Sequence, residues 1–435
     1  MEGVWEKRVA RMVDLRPGEA RAVIWSFFYF FFLLASYFIL RPLRDEMGVA
    51  AGRDYLQYLF TATFFVMLVA SPVYAAAIAR LPRAVFIPLI YRFFILNLGL
   101  FWAMLTFGGA VAETARVFFV WVSVFNLFAV SVFWSFMADL FATEQGKRLF
   151  GFIAAGGTAG TLLGSSITVT VTGWIGPTNL LLVAGALLEL AVFCSARLER
   201  AAQARPVVST ANSKAGDPQL GGGMFEGFSL LLRSPYLGGI ALWVALLSLA
   251  GTFLYFIQQD VVRAASADPA VRTRIFAAMD LTANLLTLGL QFVATGALIK
   301  RLGAGPTAAI LPLVFAAGFA TLALAPGLIA VVIFQALQRT ANFAFSNPAR
   351  EILFTSVARE EKYKAKNLID TAVFRGGDVV WSWAFAGLVR FGAGPLVIAG
   401  LAVPIMIGWA VLALGLGRAQ ERRAALSTTQ TGVST

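Results

Sequence analysis

The chain contains no histidine and a single cysteine, Cys194, in 435 residues. The first absence removes histidine-centred metal sites, Ser-His and Cys-His nucleophile pairs and imidazole proton relays. The second excludes an intramolecular disulfide. Charge is scarce too, at 13% of residues where a soluble domain has about 25%. Acidic groups are the scarcer sign: 23 Asp and Glu stand against 35 Lys and Arg, for a net charge of +12. No Gly-x-x-x-x-Gly-Lys-Ser/Thr loop occurs, so nothing in the chain is built to hold ATP as a fuel. No carboxylates are paired for acid–base work. These gaps argue against an enzyme, and no metal or cofactor is expected.

What fills the chain is apolar: 59% of residues, 39 of them Phe, with a mean hydropathy of +0.77. That is the composition of an integral membrane protein. A helix needs about 20 mostly apolar residues to cross the hydrocarbon core. Twelve such stretches are present, at 22–40, 55–79, 84–107, 115–138, 150–172, 177–196, 236–258, 277–299, 306–325, 327–346, 367–391 and 395–417. None shows the strict alternation of a barrel strand.

The basic residues give the orientation. The two termini and the loops on their side hold 24 Lys and Arg, the opposite loops hold 8, and Arg92, Arg339 and Arg375 lie inside spans. Positive charge collects on the cytosolic side, so both termini are expected there. The same bias explains the net charge, and no nucleic-acid partner is expected. The first span is too long for a signal-peptide core and is read as a retained helix. Trp5, Val9, Met12 and Val13 recur at helical spacing beside Lys7, Arg8 and Arg11, as in a helix lying at the membrane surface or in a solvated charged leader.

The longest polar stretch, 197–235, separates six spans from six. Its middle is linker-like, and Met224 to Leu232 has the pattern of a short amphipathic helix. The expected organisation is a six-helix bundle at 1–196, a cytosolic linker at 197–235, a second bundle at 236–418 and a disordered tail at 419–435. A weak repeat relates the halves. With an offset of 217 residues, Glu144, Lys147, Ala155, Gly160 and Ser165 align with Glu361, Lys364, Ala372, Gly377 and Ser382. Parallel six-helix repeats are the plan of the major facilitator fold. The fold class is therefore all-α, twelve transmembrane helices, with pseudo-twofold-related halves.

Polar side chains in lipid must face protein or water. Ser248, Thr252, Tyr255 and Gln259 form one face of span seven; Asp280, Asn284, Thr287 and Gln291 one face of span eight; Thr371, Arg375, Asp378 and Ser382 one face of span eleven. Span ten carries Gln335, Gln338, Arg339, Asn342 and Ser346, and span five carries Thr158, Thr161, Ser165, Thr168 and Thr172. Spans nine and twelve carry no charged or amide group. The polar faces read as walls of a water-filled pathway; for span five, close helix packing is an equal alternative. Gly156-Gly157 and Gly376-Gly377 read as packing sites or hinges.

Arg339 and Arg375 both fall about 10–12 Å above the cytosolic edge, counting ~1.5 Å per residue. Two guanidiniums at one depth suit a phosphate. The alternative is that Arg375 pairs with Asp378 one turn along, and Arg92 with Glu189 or a carbonyl.

Three segments carry a family resemblance: Tyr37-Phe38-Ile39-Leu40-Arg41-Pro42-Leu43-Arg44-Asp45 after the first span; Phe133-Trp134 with Glu144-Gln145-Gly146-Lys147-Arg148; and Arg350-Glu351 followed by Lys362-x-Lys364-x-Lys366-x-x-x-Asp370 and Arg375-Gly376-Gly377. Together, in this order, they resemble the ATP/ADP translocase family of plastids and intracellular bacteria. The resemblance implies a nucleotide exchanger in a bacterial inner membrane, working as a monomer on a small anionic substrate within the lipid bilayer. The chain departs from the family pattern at Pro42, where the family tends to have Asp, and at Arg44 and Asp378, where it tends to have Lys.

The expected substrate-binding residues are Arg339, Arg375, Asp378, Asn342, Gln338, Asn284, Gln259, Asn126 and Arg44. The expected gating residues are Lys147, Arg148, Lys362, Lys364, Lys366, Glu351, Asp370, Arg41 and Asp45, with Glu46 in the same outer cluster as Arg41. Asp280 and Glu189 are candidate proton carriers. Two other readings stand beside nucleotide exchange: a proton-coupled major facilitator carrying another solute, with Asp280, Glu189 or Asp378 titrating, and a membrane protein that does not transport.

Overall fold

A computed structural model describes residues 16, 19–80, 82–203, 229–231, 233–293, 301–357 and 359–432. The segment with Trp5, Val9, Met12 and Val13 and most of the proposed amphipathic helix at 224–232 lie outside them, as do the side chains of Lys147, Lys364 and Gln291. Among the described residues there are helices and no strands. Within the described residues, which leave out 294–299 of the eighth, the expected spans are helical: α1 (Ala20–Ala50), α2 (Leu56–Arg80), α3 (Arg83–Phe107), α4 (Val111–Leu140), α5 (Thr143–Ile175), α6 (Leu180–Gln203), α7 (Pro235–Ala265), α8 (Pro269–Val293) and α9 (Ala304–Leu324). They are followed by α10 (Leu328–Ala341, a π turn Asn342–Ser346, then Asn347–Leu353), α11 (Arg359–Leu368, a π turn Ile369–Val373, then Phe374–Arg390) and α12 (Pro395–Gly432).

Helices are what an apolar chain in lipid must form, because every backbone donor and acceptor has to be met within the segment. Among the described residues, ten of the helices are long and apolar enough to cross a membrane. The two that fall short, α8 and α11, carry Arg272, Arg274 and Asp280, and Arg375 and Asp378. The protein is an integral membrane protein.

The chain divides into two compact units, and the division does not follow the expected boundaries. Ser266–Asn284 groups with the part of the chain up to Ser209, and the second unit takes Thr210–Ala265 and everything from Leu285. The start of α8 is bonded to α1: Arg272 donates to Glu46 at 2.6 Å, and Arg41 lies 3.7 Å from Asp280. A second departure is at the C-terminus. Residues 419–432 continue α12 as helix instead of forming a disordered tail.

In the first unit α1 is the central element, packed on α4, α5 and α6. The contact with α5 needs glycine. A Cβ at Gly160 or Gly164 would run into the carbonyl oxygens of Phe31 and Ala35, and one at Gly156 into Phe27. Small residues let membrane helices approach to backbone contact and gain dispersion energy. The hydroxyls of span five belong to this packing: Ser165, Thr168 and Thr172 are fully buried, and Thr158, Thr161 and Thr168 donate back to their own helix. Of its two readings, α5 is a packing helix. Around α1, Phe30 stacks on Phe133 at 4.2 Å, and Tyr29 donates to Tyr91, which donates to the Ala129 carbonyl.

In the second unit α9 crosses α12 at Gly305 and Gly417, where neither position has room for a side chain. Trp243 and Trp409 meet at 5.6 Å between α7 and α12. α7 lies along α11, where Trp381 donates to the Ala245 carbonyl at 3.0 Å and a Cβ on Gly377 would press on Ser248. Gly377 is thus a packing glycine.

Candidate functional site

Two helices of the second unit carry Arg339 and Arg375, and each has a π turn beside its arginine. In α10 the Asn347 N–H bonds the Asn342 carbonyl, five residues back, and Arg339 lies three residues before the turn. In α11 the Phe374 N–H bonds the Ile369 carbonyl, and Arg375 follows the turn by two residues. A π turn inserts one extra residue, re-aims the side chains beyond it and recurs at functional sites. Hydropathy does not reveal it. For α10 one clue was present: Pro348 has no N–H to offer a carbonyl one turn back, so the regular ladder cannot run through this point.

On α10, Gln335 donates to Gln258 of α7, and Gln338 donates to Gln335 at 2.7 Å, a chain of three amides ending beside Arg339. Arg339 is half-buried. Asn342 is half-buried, and its Oδ1 has no hydrogen-bond partner among the described residues. Gln259 of α7 is fully buried, with neither amide atom bonded among the described residues; Asn284 of α8 belongs to the other compact unit and is half-buried there. Buried polar groups without partners are costly, and a polar ligand would satisfy them.

On α11, the Arg375 guanidinium stands 3.8 Å from Asp378, its side chain 43% exposed. Asp378 has the stronger bond elsewhere: Ser248 Oγ donates to its Oδ1 at 2.7 Å. The pairing of Arg375 with Asp378, the alternative left open above, is present but loose.

The expected gating residues fall into three groups. Arg350 donates to Asp370 at 3.1 Å and Lys366 to Glu351 at 2.6 Å, so two ion pairs clasp the end of α10 to the start of α11. Lys362 is half-buried nearby on α11. At the start of α5, Arg148 donates to Glu19 at 3.1 Å, and Gln145 donates to the same carboxylate. Burial pushes the Glu19 carboxyl up, but the Arg16 N–H, Gln145 and Arg148 outweigh it and hold the group below its ordinary value. Glu19 is a partner that sequence reasoning missed.

At the far end of α1, Arg44 is held by Asp45 at 2.7 Å and lies over the Phe119 ring, while Arg41 faces the fully buried Asp280. Arg272, also missed, completes this cluster through Glu46. Two expected residues are not gathered into either site. Asn126 is half-buried on α4, and Glu189 pairs with Arg92 at 2.9 Å on an exposed face of α3 and α6. Glu189 therefore lines no polar wall. The described residues contain no cluster of three or more metal-ligating side chains.

No protein-family model and no curated protein matches this sequence. Solved structures do match, over nearly the whole chain. The nucleoside transporter NupG aligns with a TM-score of 0.54 at 15% identity, covering 94% of this chain and 99% of its own. The peptide-transporter-family protein PepTSo gives 0.60 at 13%, over 94% and 99%. A bacterial homologue of the human lysosomal transporter Spinster gives 0.54 at 14%, over 93% and 94%. The fold is that of the major facilitator transporters. At these identities the likeness is one of fold, and the six-plus-six plan read from the sequence holds.

Proposed function

We propose that the protein is a secondary transporter that moves a small phosphorylated anion, of the ATP/ADP class, across a bacterial inner membrane by alternating access, exchanging it for a related anion. The observation that carries the reading is Arg375. Its guanidinium makes no hydrogen bond among the described residues, its one ion pair is 3.8 Å long, and it sits on a membrane-spanning helix. Placing an arginine there costs at least ~2.5–3.5 kcal/mol without partners, and phosphate oxygens match its planar fork. Arg339 at the neighbouring π turn, Asn342 and Gln338 supply further donors and acceptors. The resemblance to the ATP/ADP translocases supports the nucleotide. The termini are assigned to the cytosol by the excess of Lys and Arg on their side.

The test is uptake of labelled ATP, ADP and orthophosphate into proteoliposomes, preloaded or empty. Arg375→Gln should weaken the apparent affinity for the anion about ten- to a hundredfold, as loss of a charge-assisted bond of ~1.5–3 kcal/mol requires, and Arg339→Gln should do likewise. Near-normal uptake by both variants would overturn the reading. Proton-coupled transport of another solute is the second reading. It is favoured by Asp378, an acidic group where the resemblance leads one to expect a lysine.

A further inference from the structure

We propose that α3 and α6 form a docking face for a second copy of this chain, with Arg92 and Glu189 pairing between the copies in the middle of the membrane. The inference does not rest on the transport reading. It starts from the depth of one ion pair. At ~1.5 Å per residue, Arg92 stands ~14 Å from the start of α3 at Arg83, and Glu189 ~14 Å from the start of α6 at Leu180. The third and the sixth of alternating spans run in opposite directions, so both counts end near the midplane of a hydrocarbon core ~30 Å thick. Their contact at 2.9 Å agrees.

Neither group is hidden. Arg92 is 63% exposed and Glu189 49%. Around them lie exposed apolar side chains, Leu89, Phe93 and Leu96 on α3 and Leu190 and Phe193 on α6. Such a surface suits lipid or another helix, but the ion pair in it does not suit lipid. Ionisable groups within spans face a bundle interior or water. Snorkelling serves residues near helix ends, and at the midplane no headgroup is within reach. Arg92 gives one hydrogen bond, to Glu189 Oε1, among the described residues. The rest of its fork and Glu189 Oε2 are open to a partner.

A covering helix must bring an anion for the guanidinium and a cation for the carboxylate, at one depth. A helix with a charge of one sign would satisfy half the pair and repel the other half. A second copy carries both. A twofold axis along the membrane normal preserves depth and orientation, and a twofold interface sets one residue against another and the reverse. Arg92 of each copy then faces Glu189 of the other, and four charges alternate in sign around the axis. Ala186, exposed one turn before Glu189, leaves room for close approach. The family resemblance of the sequence implies a monomer; this face argues for two copies.

Energy transfer between copies carrying donor or acceptor tags, reconstituted at high lipid-to-protein ratio, tests the proposal. Wild-type copies should show transfer. Arg92→Glu puts two anions on the face and Glu189→Arg two cations, so each variant alone should lose the signal. A mixture of the two should regain it, because every contact between unlike copies then joins opposite signs. Only a contact between copies is repaired by mixing, so loss in both variants without recovery, in protein that elutes as folded, overturns the proposal. Where the exchanged charges prevent folding, Arg92→Gln and Glu189→Gln should each weaken the transfer, and an unchanged signal in both overturns it. Wild-type copies that show no transfer in liposomes overturn it directly and leave the face to lipid or to a different protein. Transfer that persists in Arg92→Glu alone places any contact between copies elsewhere and overturns it too.

Discussion

At the residue scale, the charges that matter are the ones the fold has removed from view. Glu19 is a case outside the spans. Its folded carboxyl is held below the ordinary value of 4.5, so the group contributes stability above that pH and loses it as the pH falls through the folded value. Replacing it by Gln should lower the thermal midpoint in detergent at pH 7, and the gap between Glu19→Gln and wild type should close below roughly pH 4.5. A gap that stays constant with pH would mean that packing, not charge, is what the substitution disturbs. The outer cluster follows the same logic in a drier setting. Glu46 and Arg272 have side chains only 3% and 10% exposed at 2.6 Å separation, a geometry in which each ion depends on the other to be tolerated at all.

At the element scale, hydropathy located every helix, because twelve apolar stretches in lipid have only one way to satisfy their backbones. It misplaced the ends, and the reason lies in the same buried charges. The first span was read to residue 40, yet α1 runs to Ala50 with Asp45 and Glu46 buried in it. The eighth was read from residue 277, yet α8 starts at Pro269. Charges neutralised by a distant partner look like loop to any local window. The candidate site was partly legible for the opposite reason. The spacing of Arg375 and Asp378 is local, so their pairing could be foreseen. Glu19 and Arg272 bond across more than a hundred residues, and the π turns change geometry without changing composition.

The glycine seam gives an element-scale prediction. Gly160→Leu forces a side chain into the Phe31 carbonyl of α1. Overpacking of this kind costs ~1–3 kcal/mol or more where backbone must move. A clear drop in thermal midpoint, or loss of folded protein, is expected, whereas Gly251→Leu on α7, where a Cβ meets nothing within 4 Å, should be mild. Equal tolerance of both substitutions would count against backbone contact between α1 and α5.

At the scale of the whole molecule, the charge asymmetry makes a claim about sidedness that labelling can check. Cys194 is buried at 2% exposure, so the natural thiol should not react and introduced cysteines can be read without removing it. Ala425→Cys, on the exposed end of α12, should be blocked only by reagents that enter the cytosol. Phe391→Cys, 92% exposed after α11, should be blocked by impermeant reagents from outside. The same response from both positions would break the twelve-span topology.

The loose pair of Arg375 and Asp378 has an electrical consequence. Moving one elementary charge across 100 mV is worth about 2.3 kcal/mol, so a carrier whose vacant site held a bare guanidinium would feel the membrane voltage on every empty return. Here the Arg375–Asp378 pair sums to zero, so this pair by itself offers the membrane voltage no net charge to act on.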